Sequence, residues 1–389
     1  MNQLERARSY QKELTSIRHD IHAHPELGLQ EVRTAELVAK KLESWGIEVH
    51  RGVGVTGVVG VLRNGNGEAS VGLRADMDAL PILEATGLPH ASQNPGRMHA
   101  CGHDGHTTML LGAAKYLAET RNFNGTVNFI FQPAEEGVGG ALAMLKDGLF
   151  ERFPCNAIYG MHNRPGLPVG KFITGPGARA AGGAFFDILI TGKGAHGAHP
   201  QMSIDPVLVA CHLGTALQSI VSRNISARDT EVLSITRIQS GDAYNVIPQT
   251  ASMAGTVRTM RRETMQTIET NMRRLTEAVA AGFGAEATLD FRIIFASMVN
   301  NEAEAKLYGD AAAELVGEAN VDRDSPPGMG SEDFSFMMEQ VPGAHINLGN
   351  GESAALHNHK YDFNDEIIPY GVALYGAIVE KKLPKGQVG

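Results

Sequence analysis

The stretch Met98-His99-Ala100-Cys101-Gly102-His103-Asp104-Gly105-His106 places a thiol, three imidazoles and a carboxylate within nine residues. Thiolate and imidazole are ligands for a zinc-like ion, and a Cys-x-His spacing offers two of them from one loop. The apolar run Met109-Leu110-Leu111, with Ala113, Ala114 and Leu117, predicts a helix starting near His106. The competing reading of the loop is a polar turn whose histidines cap that helix.

Acidic groups elsewhere favour the metal. A strand read over Val71–Ala75 runs into Asp76-Met77-Asp78, two carboxylates at alternate positions, which face one side and suit support of a metal site. The next strand, Gly125–Gln132, delivers Pro133-Ala134-Glu135-Glu136-Gly137. On a regular strand Glu135 and Glu136 would face opposite ways; just past its end, one can hold a cation while the other reaches an attacking water. A third strand, Ala157–Met161, ends in His162-Asn163. Three successive strands thus deliver acidic or metal-competent groups at their C-terminal ends, the edge where open α/β sheets build sites.

The elements that must position these groups follow from length and patterning. A chain of 389 residues, 43% hydrophobic and 20% charged, predicts a globular protein of two domains. A net charge of −9 without arginine-rich runs argues against nucleic acid. Cys101, Cys155 and Cys211 are odd in number and far apart, so they suit a reducing compartment, Cys155 and Cys211 as buried apolar groups. The charged N-terminus lacks a secretory core, and no apolar run approaches the ~18 residues that would span a bilayer. The expectation is a cytoplasmic protein with no membrane or nucleic-acid partner.

Leu14, Ile17 and Ile21 mark an amphipathic helix, and Leu37, Val38, Leu42 and Trp45 a second, closed by Gly46. Asn64-Gly65-Asn66-Gly67 predicts a hairpin between strands at Gly57–Leu62 and Val71–Ala75. Gly52-Val53-Gly54-Val55-Thr56-Gly57 resembles a dinucleotide fingerprint but precedes a strand, so no nucleotide cofactor is expected. A helix is read over 139–150. From about Ala184 the order becomes strand, helix, strand, strand, helix, strand, the βαββαβ order of a ferredoxin-like unit. The fold expected is α/β: a catalytic domain with a mixed sheet flanked by helices over 1–181 and 296–389, and an inserted α+β domain over 182–295. Gly328–Phe334 is grouped with the first.

Taken together, the motifs resemble the two-metal aminoacylase and carboxypeptidase-G-like peptidases, specifically the hippurate hydrolase and auxin-conjugate amidohydrolase branch. The carriers are His-Ala-His-Pro-Glu-Leu-Gly at 22–28, Arg-Ala-Asp-Met-Asp-Ala-Leu-Pro-Ile at 74–82 and Met-His-Ala-Cys-Gly-His-Asp-Gly-His at 98–106. Gln-Pro-Ala-Glu-Glu-Gly at 132–137, Met-His-Asn at 161–163, Asn-Val-Ile-Pro at 245–248 and Gly-Ser-Glu-Asp-Phe at 330–334 complete them. The resemblance covers nearly the whole chain and implies a zinc-peptidase-like catalytic domain.

It further implies Cys101, His103, Glu136, His162 and His357 as ligands of two divalent metal ions, Cys101 bridging. Glu135 becomes the general base, Asp78 its support, and His196 a substrate-facing residue that helps hold the oxyanion in a partner's site. Asn245 and Arg258 fall at substrate-binding positions. His359 competes with His357, which aligns with the motif's first histidine. His22 and His24 are read as ordering the N-terminal turn, and His106 and His199 as structural or capping residues. Zinc suits the ligands, with manganese, cobalt or nickel as alternatives. The activity implied is hydrolysis of N-acyl-L-amino acids such as hippurate by a homodimer or higher homo-oligomer. A dipeptidase or carboxypeptidase acting on free peptides is the alternative, and a metal-bound binding protein without catalysis the non-enzymatic rival.

Overall fold

The computed structural model describes residues 2–385. The chain folds as two compact units: one holds the chain up to Arg179, Val299–Pro326 and Asp333 onward, the other Ala180–Met298 and Pro327–Glu332.

The first unit is built on a mixed sheet of eight strands: β1 (Glu48–Val53), β2 (Gly57–Asn64), β3 (Ser70–Asp76), β4 (Gly125–Gln132), β5 (Ala157–Pro165), β6 (Phe172–Ile173), β7 (Val321–Asp322) and β8 (Gly343–Gly351). Their order is β1-β2-β4-β3-β5-β8-β6-β7. Strand β3 is buried along its whole length and runs parallel to β4 and β5 on its two sides. Strand β8 continues the parallel set beside β5. Parallel neighbours share one carboxyl edge, so the groups following β3 and β4 and the end of β5 meet there.

The predicted hairpin is corrected. Asn64–Gly67 does turn the chain, and the Asn124 side chain accepts the N–H groups of Asn66 and Gly67 at 2.9 and 2.8 Å. Yet β4 lies between β2 and β3, antiparallel to one and parallel to the other. Turn residues set the local change of direction; the pairing partner is set by which strand completes the sheet's hydrogen bonds and buries both faces of β3.

Helices α1 (Gln11–Ala23), α2 (Val32–Ser44), α3 (His103–Thr120) and α4 (Ile368–Lys382) pack in this unit. α3 contacts α1, α4 and β3, and is therefore apolar nearly all round, burying Met109, Leu110, Leu111, Ala113 and Leu117. It begins at His103, three residues before the predicted start, because Gly102 (φ 94) makes the left-handed turn that launches it. The helix expected over 139–150 is broken into Gly140–Lys146 and Leu149–Arg152 at Gly148 (φ 75).

The second unit has a four-stranded antiparallel sheet, in the order Val232–Gln239, Thr250–Thr259, Gly182–Thr191, Glu286–Phe295, with helices Pro206–Ser219 and Arg262–Gly282. This is the arrangement of a βαββαβ unit. Ala184, Phe186, Ile188 and Ile190 alternate into the core beneath the helices, while Phe185 and Leu189 face outward. A small ribbon pairs Ala195–His196 with Val246–Ile247. The N–H of Ala181 donates to the Gly330 carbonyl at 2.9 Å, which ties Pro327–Glu332 into this unit rather than the first. Among the described residues no helix is long and apolar enough to cross a membrane.

Candidate metal centre

The carboxyl edge of the first unit's sheet collects the five predicted ligands. The donor atoms of Cys101, His103 and His162 lie within 4.8 Å of one another, and so do those of Cys101, Glu136 and His357. Cys101 is common to both groups. The Glu135 carboxylate is likewise within 4.8 Å of donors on His103 and Glu136. His359 is exposed and belongs to no such group among the described residues. His357 is delivered by a left-handed backbone (φ 64), its N–H held by the Ala100 carbonyl at 2.8 Å.

These residues fit divalent cations on grounds internal to the structure. His103 Nδ1 is 2.9 Å from the Asp78 carbonyl and 3.2 Å from its carboxylate, and His162 Nδ1 is 2.7 Å from the Asn163 carbonyl. Each bond places a proton on Nδ1 and leaves Nε2 as a lone pair aimed at the cluster. His103 Nε2 is buried without a hydrogen-bond partner, a condition that buried polar atoms rarely tolerate. A cation bound at that atom resolves it. His162 Nε2 stands 3.4 Å from Cys101 Sγ, and His357 Nε2 3.2 Å from Glu136 Oε1.

The electrostatics agree. Burial, with Glu136 nearby, pushes the Cys101 thiol up. The Cys101 sulfur and the Glu136 carboxylate hold His357 up at about 10. Burial works against a proton on His103, yet Asp76 and Cys101 keep its pKa well above the usual imidazole range. His162 is held well below that range by burial and by His106. Surroundings that draw positive charge onto His103 and His357, and keep His162 neutral, suit a divalent cation.

Two aspartates hold these candidate residues in place. Asp78 accepts the backbone N–H groups of Glu135 and Glu136, both at 3.0 Å, besides its contact with His103. Asp76 is clasped by Arg74 at 2.8 Å and by His106 Nδ1 at 2.6 Å. Burial opposes its charge, but His103, Arg74 and His106 hold its carboxyl well below the usual range. Arg74 reaches on to Gln132 at 2.8 Å and Asp333 at 3.2 Å, and Asp333 accepts the Ala141 N–H at 3.0 Å.

His106 is no cap. It bridges Asp76 to Asn163, whose N–H lies 3.1 Å from its Nε2, and its ring sits 4.5 Å from that of His162. The Asn163 side chain meets Tyr361 Oη at 2.6 Å. A Cβ on Gly102 would lie 2.4 Å from Asn163 Oδ1 and 2.7 Å from Tyr361 Oη, so only glycine fits between Cys101 and His103. Asn163 and Tyr361 were not singled out from the sequence; Met-His-Asn at 161–163 was the available signal for the first.

The remaining predicted residues are placed as follows. His24 bonds the Asp20 carbonyl at 2.8 Å within the N-terminal segment, whereas His22, read as ordering that turn, is buried against Asp104 at 2.8 Å and so ties the segment to α3. His199 is exposed and makes no capping bond. His196, Asn245 and Arg258 belong to the second unit. His196 and Asn245 are exposed, and the Asn245 carbonyl accepts the Gly197 N–H at 2.7 Å. Arg258 donates to Thr256 Oγ1 at 2.5 Å and to the Val257 carbonyl at 2.9 Å. Cys211, expected to be buried, is exposed, and Cys155 is half-buried with its thiol pushed up to about 11 by burial.

The profile of peptidase family M20/M25/M40 matches residues 72–381. The chain is 43% identical over 383 residues to the hippurate hydrolase of Campylobacter jejuni subsp. jejuni, covering 98% of this chain and 100% of that one. It is 40% identical over 363 residues to an N-acetylcysteine deacetylase of Bacillus subtilis, covering 93% and 94%. It superposes with a TM-score of 0.85 on the crystal structure of the Bacillus subtilis YXEP protein, a dinuclear metal binding peptidase from the M20 family, at 35% identity and with 97% and 99% covered.

Proposed function

The chain belongs to peptidase family M20/M25/M40, and from that membership we propose that it is a metal-dependent amidohydrolase cleaving N-acyl-L-amino acids, hippurate-like ones included, to a carboxylic acid and a free amino acid. The observation that carries this reading is a sulfur common to two ligand groups, with the buried carboxylate of Glu135 beside them.

Cys101, His103 and His162 would hold one divalent ion, and Cys101, Glu136 and His357 a second, with zinc the natural choice for these donors and manganese, cobalt or nickel as alternatives. When bound, such a pair lowers the pKa of a water from 15.7 towards about 7 and polarises the amide carbonyl. Glu135 takes the proton from the attacking water and hands it to the amine nitrogen as the C–N bond breaks. Asp78 keeps Glu135 and Glu136 on their turn through the two backbone N–H groups. His196 serves the oxyanion of a partner subunit's substrate, a type of donor worth roughly 3–4 kcal/mol.

Arg258, with Asn245, receives the substrate's free carboxylate. Its guanidinium is half-buried, has no carboxylate partner among the described residues, and is held below its usual pKa by burial. Ser331 Oγ is buried without a hydrogen-bond partner, and both it and Arg258 would lie 3.1 Å from a Cβ on Gly183. A guanidinium without a carboxylate partner and an unsatisfied hydroxyl, flanking a residue without a side chain, support an anion site there.

Assembly as a homodimer through the second unit is supported by its outer strand Val232–Gln239, which pairs on one side only. Three free cysteines support a cytoplasmic setting.

The deciding experiment assays a panel of N-acyl amino acids and free dipeptides with several metals. Faster turnover of the N-acyl compounds is expected. Preference for free dipeptides would replace the reading with a dipeptidase, and no turnover with any metal would leave a binding protein.

A further inference from the structure

Among the described residues, five non-glycine positions have a left-handed backbone; one of them, Ala134, bonds the buried carboxyl of Glu31, and two others, Leu29 and Val55, lie in the segments that carry Glu31 and its partner Thr56. Leu29 (φ 63) lies two residues before Glu31. Val55 (φ 87) precedes Thr56, whose hydroxyl donates to Glu31 Oε2 at 2.5 Å. Ala134 (φ 52) donates its N–H to Glu31 Oε1 at 2.8 Å. Side chains of L-residues avoid this region, a β-branched valine most of all, and such conformations persist only where the surroundings over-determine them.

The segment around Glu31 lies directly on the turn that carries Glu135. A Cβ on Gly28 would stand 3.0 Å from Ala134 Cβ, and the Ala79 N–H donates to the Glu26 carbonyl at 2.8 Å. Three successive N–H groups, of Ala134, Glu135 and Glu136, are therefore each received by a buried carboxylate, the first by Glu31 and the others by Asp78. Asp78 alone holds the turn from the side of β3. Glu31 holds its leading residue from the opposite part of the sequence, and with its second oxygen is itself held by Thr56.

We propose that Glu31 is a positioning residue for the hydrolysis: by receiving the Ala134 N–H it sets the direction in which Glu135 leaves the backbone. The proposal rests on Glu135 being the base. Glu31 does not touch the reacting atoms, so its effect belongs to the placement of Glu135 and not to metal binding. Burial pushes the pKa of its carboxyl up, and a glutamine amide has the same length and planar shape. The amide keeps one oxygen for the Ala134 N–H and can donate to the Thr56 hydroxyl.

The test uses the full chain loaded with metal, and the variants Glu31→Ala, Glu31→Gln and Thr56→Val. It measures kcat and KM on hippurate, metal per chain, and amide hydrogen exchange of the 133–137 segment. Glu31→Ala should lower kcat at least tenfold and by roughly 100-fold if Glu135 shifts by about 1 Å. KM and metal content should stay near wild type, and exchange at 133–137 should quicken. Glu31→Gln should restore most of kcat and the slow exchange, and Thr56→Val should fall between. Unchanged exchange in Glu31→Ala, an equal loss in Glu31→Gln, or metal lost in proportion to kcat would each overturn the proposal. Should Glu31→Ala fail to fold, Thr56→Val, which leaves the carboxyl in place, decides by the same measurements: a lower kcat with faster exchange and metal retained upholds the proposal, and wild-type values overturn it. If the wild-type chain hydrolyses no N-acyl amino acid, the functional reading fails by itself, and the exchange measurements still decide the role of Glu31.

Discussion

Asp78→Ala tests the architecture of the site more sharply than removal of any ligand. Its carboxylate receives the N–H groups of Glu135 and Glu136 at 3.0 Å each and meets His103 Nδ1 at 3.2 Å. Truncation orphans two buried donors, at about 1–3 kcal/mol each, so the folded state should lose roughly 2–6 kcal/mol, the lower end applying if water enters the space. His103 keeps its bond to the Asp78 carbonyl at 2.9 Å, which the alanine retains. Metal should therefore bind more weakly, by roughly 10- to 100-fold, but not vanish. The turn carrying Glu135 loses two of its three fixed N–H groups, and kcat at saturating metal should fall roughly 100-fold or more. Asp78→Asn should not rescue fully. One amide oxygen can accept one N–H, but the amide nitrogen then faces the other, donor against donor. The assay is glycine release from hippurate, with metal content measured after dialysis and stability by urea unfolding. An Asp78→Ala enzyme with kcat within threefold of wild type and full metal content would refute the reasoning.

Glu135→Gln should retain metal and fold while kcat falls ~100- to 10,000-fold, whereas Glu136→Gln should lose metal; equal metal loss in both would overturn that division of labour. Gly102→Ala, with φ 94 and a Cβ 2.4 Å from Asn163 Oδ1, should destabilise the fold by roughly 2 kcal/mol or more, and wild-type urea unfolding would contradict it. His22 is buried, which works against its charge, but Asp104 and then Glu84 raise it from 6.5 to about 9. A raised folded pKa stabilises below the unfolded value, so its contribution, of order 3 kcal/mol, is complete below about pH 6.5 and is lost as the pH climbs through 9. The Tm gap between wild type and His22→Gln should accordingly narrow from pH 6 to pH 10, and a flat or widening gap speaks against the assignment. Finally, mixing inactive Glu135→Gln and His196→Ala chains under conditions of subunit exchange should restore activity if His196 acts on a partner's site; verified exchange with no activity would confine it to its own chain.

What the sequence determined by itself is local. Cys101-x-His103, Glu135-Glu136 and Met161-His162-Asn163 carry their chemistry within a few residues, and alternation or apolar runs mark the strands that deliver them. Because β3, β4 and β5 are parallel neighbours, knowing their C-terminal ends was enough to gather the ligand types at one edge. The βαββαβ order was legible for the same reason, each element announcing its own period.

Tertiary structure decided whatever depends on partners distant in sequence. No pattern near Asn64–Gly67 says that β4 will part β2 from β3, because that choice rests on completing the hydrogen bonds of a fully buried strand. Cys101 belongs to two candidate ligand groups only once strand β5, carrying His162, and the loop carrying His357 have come together on it. His106 could be read as a cap while Asp76 and Asn163 were out of view, and Glu31 offered no signal because the N–H it receives lies 103 positions along the chain. Buried polar groups must be satisfied wherever the fold brings them, and that requirement leaves its mark in the packed structure, not in the spacing of residues along the chain.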